Sequence, residues 1–331
     1  MILKNVKFCS YINTIMRKWI DWFYKEKENR DLGLTWMSHG NAGGFLENHE
    51  SYNKKSNWLY GSPDVEQSFQ KTIDSGIPKY WRWHNEQIEY DMNSDGFRTK
   101  ELDKVDWKNS YVILGCSHIH GLGNQYHETI GEFISRKIAE PVINLGVGGI
   151  SNEVIYNNLL KQLKTYGKAK GYFIMWTYSN RFANVGKYWY ARDNSMKPFW
   201  AIDRVVPENM SHKNIEFTDQ FISQLMYRRN IIWHSTRLLL QDVPLSEILE
   251  PHCWAIEDLG DSEIPIKHPT GSGFSSHIPW NKQSDAYKEW YLNQICARDI
   301  MRYSNKNGPE GSHWGPTVNS RVAEYLIKGL K

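Results

Sequence analysis

The sequence predicts an α/β protein built on a parallel sheet. Three observations point there. Tyr111-Val112-Ile113-Leu114 is a short apolar run, rich in β-branched residues, that ends abruptly in Gly115-Cys116-Ser117. Between residues 110 and 176, strand and helix patterns alternate as strand, helix, strand, helix, strand. Such alternation implies parallel strands joined by right-handed crossovers. The first two of these strands also run into glycine-bearing turns, and in open α/β sheets ligands bind at the carboxyl ends of strands.

Taken in order, residues 1 to about 30 read as an amphipathic docking helix, with Ile12, Ile15, Met16, Trp19, Ile20 and Phe23 near helical spacing. Residues 31–57 carry Gly33, Gly40, Gly43 and Gly44 and read as loop. Residues 58–108 are aromatic and turn-rich, and the turn Asn93-Ser94-Asp95-Gly96-Phe97-Arg98 leads into the key strand. The organisation expected is therefore an extension over 1–92 and a main domain over 93–331. A helix over 124–140, with Ile130, Phe133, Ile134 and Ile138 on one face, stops at Pro141. Val142-Ile143-Asn144-Leu145 is the second strand, and Ser151 caps a helix that runs to Tyr166. Gly171–Trp176 is the third strand. An insertion covers about 184–280. Within and after it, the pattern predicts irregular chain over 183–212, a helix over 214–241, a fourth strand at Cys253–Ile256 and a loop over 260–282. Helices over 284–300 and 317–330 close the chain.

Composition narrows the function. The 331 residues are 40% hydrophobic and 23% charged, enough for a real core, and the net charge of +3 is too mild to argue for nucleic acid or an anionic membrane. No run approaches the 18 or so apolar residues of a spanning segment, and the N-terminus lacks a signal-peptide pattern. Cys9, Cys116, Cys253 and Cys296 are scattered without a disulfide framework, so the expected compartment is a reducing cytoplasm. The 15 Trp, 19 Tyr and 12 Phe are an excess that serves either core packing or the stacking of sugar faces.

Chemistry is carried by loops at the sheet's end. Ser117 is a candidate nucleophile, which needs a base, an orienting acid and oxyanion donors. Gly146, Gly148 and Gly149 follow the second strand, where backbone N–H groups can point at an oxyanion. His313 lies on the loop before the last helix. Glu310 stands three residues earlier, placed to hold the imidazole Nδ1 so that Nε2 faces a serine.

These blocks resemble those of the SGNH (GDSL) hydrolase superfamily. The likeness covers residues 93–180 and 296–327. Gly115-Cys116-Ser117 stands for its Gly-Asp-Ser, and Asn144-Leu145-Gly146-Val147-Gly148-Gly149 for its Asn-x-Gly-x-x-Gly. Glu310-Gly311-Ser312-His313 stands for its Asp-x-x-His. The resemblance implies a flavodoxin-like three-layer α/β/α sandwich and cofactor-free, metal-free ester hydrolysis by a Ser–His–acid triad. Ser117 would be nucleophile and His313 base, with the N–H groups of Ser117 and Gly149 as oxyanion donors. Cys116 replaces an Asp that supports the loop. Glu310 is one methylene longer than the family's Asp, and Asp299 is a second candidate for the acid. The family's third block, Gly-x-Asn-Asp, is absent. In the loop Thr177-Tyr178-Ser179-Asn180-Arg181 that stands there, Asn180 is the expected amide donor, Thr177 the fallback, and Arg181 a compensating charge.

The expected reaction is removal of a small acyl group, such as acetyl, from a saccharide or other small ester. Two other classes remain open. One is a binding or structural protein on a decayed hydrolase fold, with a composition that would suit a phage virion component. The other is a metal-dependent hydrolase in which His118-Ile119-His120, after a strand, is a metal pair. It needs further ligands at the ends of later strands, and His234, His252, His268 and His277 are present but none follows a clear strand.

Overall fold

The computed structural model describes residues 36, 38, 55–59, 62–177, 181–185, 189–190, 196–197, 200–204, 219–249 and 279–330. By packing, Met1–Thr35 and Trp36–Lys331 are separate units, and the description concerns the second. The expected N-terminal helix, the expected strand at 253–256 and Asn180 lie outside the described residues.

In chain order, β1 (Lys55–Ser56), α1 (Glu66–Asp74), β2 (Tyr90–Asp91), β3 (Tyr111–Gly115), α2 (Ser117–His120), α3 (Ile130–Ile138), β4 (Val142–Asn144), α4 (Asn152–Tyr166) and β5 (Gly171–Met175) come first. Then β6 (Arg181–Val185), β7 (Trp189–Tyr190), β8 (Met196–Lys197) and β9 (Trp200–Arg204) precede α5 (Asp219–Leu239) and β10 (Leu245–Ile248). Last are α6 (Asp285–Trp290), continued by a π turn over Tyr291–Ile295, then β11 (Arg302–Ser304), β12 (Gly308–Glu310) and α7 (Pro316–Lys328).

The central sheet has the order β10-β5-β3-β4, and every pairing in it is parallel. The three strands read from sequence are thus neighbours. Alternate residues of each strand face opposite sides, and both sides are covered. Tyr111, Ile113, Phe173 and Met175 pack with Ile130 and Ile134 of α3 and with Val318, Val322 and Leu326 of α7. Val112, Leu114, Tyr172 and Ile174 pack with Val154, Ile155 and Leu159 of α4, with Ile232 of α5 and with Leu240 just after it. Burial on both faces is why these strands read as continuous apolar runs rather than alternating ones. Among the described residues no helix is long and apolar enough to cross a membrane.

The order of the strands fixes where a site must lie. From β3 the chain moves to β4 on one side, then crosses back to β5 and goes on to β10 on the other. Right-handed crossovers in opposite directions put α3 on one face and α4 and α5 on the other, as the two apolar clusters record. The connections therefore diverge between β3 and β5, and a crevice opens at their carboxyl ends.

Three expectations need correction. Apart from them, the sheet includes β10, in a stretch between the long helix and residue 253 for which no element was expected; four residues are too few to reveal a period. Residues 183–212, expected to be irregular, contain antiparallel pairs, β6 with β9 and β7 with β8. The turn-rich stretch 58–108 contains α1, a nine-residue helix whose only apolar residues, Phe69 and Ile73, are too few to establish a helical period. The helix expected over 284–300 ends in the π turn at Ile295, and Cys296 instead bridges to Trp314 across an antiparallel ribbon.

The stretch preceding residue 93 contributes Leu59, Ile77, Trp81, Trp83, Ile88 and Tyr90 to the core on the α3 and α7 side. Trp81, Trp83, Trp176, Trp280 and Trp314 are fully buried. Those five serve packing and present no face to a sugar.

Candidate active site

Ser117 stands at the divergence point, two residues past the end of β3 and first in the single turn α2. A first helical residue has its N–H outside the helical pairing. His313 reaches it from the loop before α7, which begins with Pro316 in its first turn. The His313 Nε2 to Ser117 Oγ distance is 2.7 Å. On the other side of the ring, His313 Nδ1 lies 2.5 Å from Asp299 Oδ2, and the His313 backbone N–H donates to Asp299 Oδ1 at 3.1 Å. A carboxylate accepting at Nδ1 assigns the proton there and leaves the Nε2 lone pair toward the serine hydroxyl. The Asp299 side chain is fully buried, His313 is 15% exposed and Ser117 is 6% exposed. Water reaches the relay at the His313 end.

Glu310, the acid expected from its Glu-x-x-His spacing, is not the partner of His313. It ends β12, opposite Arg302 in the hairpin with β11, and its carbonyl accepts from Met301 N–H at 3.1 Å. The register pairs Arg302 with Glu310 and Ser304 with Gly308. Toward the base of the ribbon the pairing shifts by two residues, with Cys296 opposite Trp314 and Ala297 N–H donating to the His313 carbonyl at 3.0 Å, and Asp299 lies beside the imidazole where the two registers meet. The second candidate, Asp299, therefore takes the position. The hairpin's own signal, Asn307-Gly308 after an alternating stretch, was present in the sequence; Gly308 has φ +79°.

The loop after β4 is locked to the nucleophile turn. Asn144 Nδ2 donates to the Ile119 carbonyl at 2.7 Å, and its Oδ1 accepts from Gly146 N–H at 2.8 Å. Gly146 packs so closely that a Cβ there would sit 2.5 Å from the His120 nitrogen. Gly149 is held differently. Its φ is +75°, and a Cβ would meet nothing within 4 Å, so conformation rather than close approach explains the glycine. Thr177 is fully buried. Its N–H donates to Asn152 Oδ1 at 2.8 Å and its carbonyl accepts from Asn152 Nδ2 at 3.1 Å. Asn152, in the first turn of α4, thus fastens the loop after β5.

His118 and His120 follow β3, as expected, but do not share one face of a strand. Both lie on α2, where a spacing of two residues turns side chains to different sides. His118 stacks on Trp314 with centroids 3.9 Å apart and stands 4.8 Å from the His313 ring, whereas His120 stacks on Tyr90 at 5.9 Å. Of the further ligands invoked, His252, His268 and His277 lie outside the described residues. Among the described residues there is no group of three or more His, Cys, Asp or Glu side chains placed to hold a metal ion.

Two buried cysteines flank the relay. Cys116 Sγ lies 3.9 Å from Ser117 Oγ and packs in the apolar cluster with Leu114 and Trp176, a setting that suits a thiol better than a carboxylate. Burial pushes the Cys296 thiol up to about 12, against a hydrogen bond from Ser312 that acts the other way; it stays protonated and poorly nucleophilic.

Sequence reasoning missed the polar side chains that hold the loops. Arg98 is fully buried and donates to the carbonyls of Gly121 at 2.9 Å, Glu89 at 2.9 Å and Asn124 at 3.1 Å. Asn124 Nδ2 in turn donates to the Trp314 carbonyl at 2.9 Å, beside His313. Arg82 forks onto Glu128 at 2.5 and 2.7 Å. No local pattern marks these residues, because their partners are distant groups, backbone carbonyls for Arg98 and Asn124 and a carboxylate for Arg82, brought together only by the fold.

Compared with models of protein families and with curated proteins, the chain matches none.

Proposed function

We propose that the protein is a serine acylhydrolase of SGNH type, with Ser117 as nucleophile, His313 as base and Asp299 as orienting acid. The observation that carries this reading is the unbroken relay, 2.7 Å from Ser117 Oγ to His313 Nε2 and 2.5 Å from His313 Nδ1 to Asp299 Oδ2. In the proposed reaction His313 Nε2 takes the serine proton as Oγ bonds to the ester carbonyl carbon. The N–H groups of Ser117 and Gly149 receive the oxyanion, with a third donor from the loop after Thr177, for which Asn180 is the candidate. His313 returns the proton to the leaving alcohol oxygen, and the acyl group stays on Ser117. A water then gives a proton to His313 as its oxygen attacks the acyl carbon, and the Oγ–acyl bond breaks as His313 returns that proton to Oγ, restoring the serine and releasing the acid. The acyl group proposed is small, such as acetyl. The saccharide as acyl carrier rests on the aromatic composition alone.

Turnover of p-nitrophenyl acetate by the purified chain tests this. Activity and labelling by a fluorophosphonate that both vanish in Ser117→Ala, with chelators without effect, are the expected results. A folded wild-type chain that neither turns over the ester nor takes the label would overturn the reading in favour of a binding protein.

A further inference from the structure

Arg298 immediately precedes the triad acid and is 2% exposed. Its guanidinium forks onto Asp64, with Nε to Oδ1 at 2.9 Å and Nη2 to Oδ2 at 2.8 Å, and Nη2 also donates to the Asn57 carbonyl at 2.6 Å. Tyr90 is fully buried and donates its hydroxyl hydrogen to Asp64 Oδ2. The same hydroxyl oxygen accepts from Gly123 N–H at 2.8 Å, and the Gly123 carbonyl accepts from Arg298 N–H at 2.8 Å. These contacts close a ring that runs Asp64, Arg298, Gly123, Tyr90 and back to Asp64.

The ring spans the catalytic machinery. Gly123 lies six residues past Ser117, on the loop that α2 feeds. It stands so near the acid that a Cβ on it would be 2.7 Å from Asp299 Oδ1. Arg298 and Asp299 share a peptide bond. One closed set of hydrogen bonds thus ties the serine's loop to the aspartate's backbone, with both anchors, Asp64 and Tyr90, supplied from before the main domain expected from sequence. Burial holds the Asp64 carboxyl above its ordinary range, the Arg298 guanidinium pulls it down, and the Asp299 charge adds to the rise. Burial, and after it the Asp64 charge, hold the Tyr90 hydroxyl well above its ordinary range, so it remains a donor.

We propose that Asp64, Tyr90 and Arg298 are positioning residues of the triad: they set the separation between the Ser117 loop and Asp299, and act on the reaction through the orientation of His313. The proposal rests on the hydrolase reading but makes a separate claim. A planar fork against a carboxylate defines direction as well as distance, which an ammonium in its place would not. Misplacement of a catalytic group by about 1 Å lowers turnover by as much as about 100-fold.

The test uses the full chain and two conservative variants that each remove one buried tyrosine hydroxyl. Tyr90→Phe breaks the ring. Tyr172→Phe removes a hydroxyl that donates to Gln162 and accepts from Ala169 N–H, both at 2.9 Å, on the face of the sheet packed by α4 and α5. Both variants should lower the melting temperature. Tyr90→Phe should cut kcat on p-nitrophenyl acetate about 10- to 100-fold with KM within twofold, whereas Tyr172→Phe should leave kcat within twofold. Asp64→Asn, isosteric at the other end of the contact, should reproduce the Tyr90→Phe loss and serves if that variant does not fold. The imidazole 15N shifts of His313 give a readout free of turnover: they should move in Tyr90→Phe and stay in Tyr172→Phe. An active wild type with kcat and His313 shifts unchanged by Tyr90→Phe or Asp64→Asn overturns the positioning role. An inactive wild type whose His313 shifts still respond to Tyr90→Phe overturns the hydrolase reading alone.

Discussion

Replacing Asp299 by Asn separates the triad acid from its sequence rival. The Asp299 carboxylate is fully buried and accepts twice from His313, at the ring Nδ1 and at the backbone N–H. An amide of the same shape has one acceptor oxygen and one NH2. If the oxygen keeps the backbone N–H, the NH2 faces Nδ1, and only a ring protonated on Nε2 can meet it. That tautomer turns a proton toward Ser117 and removes the base. The equivalent change in a serine triad lowers kcat about 10⁴-fold, which at about 1.36 kcal/mol per tenfold is roughly 5.5 kcal/mol of barrier. Asp299→Asn should therefore fall to that extent in ester turnover while its circular dichroism stays that of the wild type. Glu310→Gln, altered on the neighbouring rung of the hairpin, should remain within twofold. A Glu310→Gln loss larger than that of Asp299→Asn would refute the assignment.

Gly146→Ala should yield little folded protein, measured as soluble expression and melting temperature, because its Cβ would sit 2.5 Å from a backbone nitrogen that cannot yield cheaply. Asn152→Ala should orphan the N–H and carbonyl of buried Thr177; an unmet buried group costs about 1–3 kcal/mol, read by urea titration, and kcat should fall as the loop after β5 loosens. Cys296 should resist iodoacetamide at pH 8 until the chain unfolds, followed by peptide mass mapping. Its raised thiol pKa also predicts stability that is intact below pH 9 and lost as pH climbs toward 12, because the unfolded thiol ionises near 9 and the folded one near 12. At about 1.36 kcal/mol per unit the loss is on the order of 4 kcal/mol from this group, and urea midpoints across that window check it.

The sheet was legible because doubly buried strands are apolar throughout, as Tyr111–Leu114 and Tyr172–Met175 are, and because Gly115 and Pro141 punctuate them. Ser117 and His313 were legible through their places at a strand end and before a terminal helix. Asp299 was harder to place. Its closeness to His313 depends on a hairpin folding the chain back on itself, and Glu310 was nearer in sequence. Asp64 and Tyr90 bore no signal at all, since a contact between residues 64 and 298 joins segments 234 positions apart. Pattern reading reaches along a helix or strand, not across such a gap.

That gap has a consequence in time. Closing long loops slows folding, since chain entropy is lost before the contact rewards it. All four strands of the parallel sheet are present in the first 248 residues, yet the base, the acid and Arg298 all come later. A nascent chain carrying the whole sheet holds a serine with nothing to activate it. On refolding from denaturant, signals from the sheet should return ahead of esterase activity, and the interval between them measures how long the last fifty residues take to find their place.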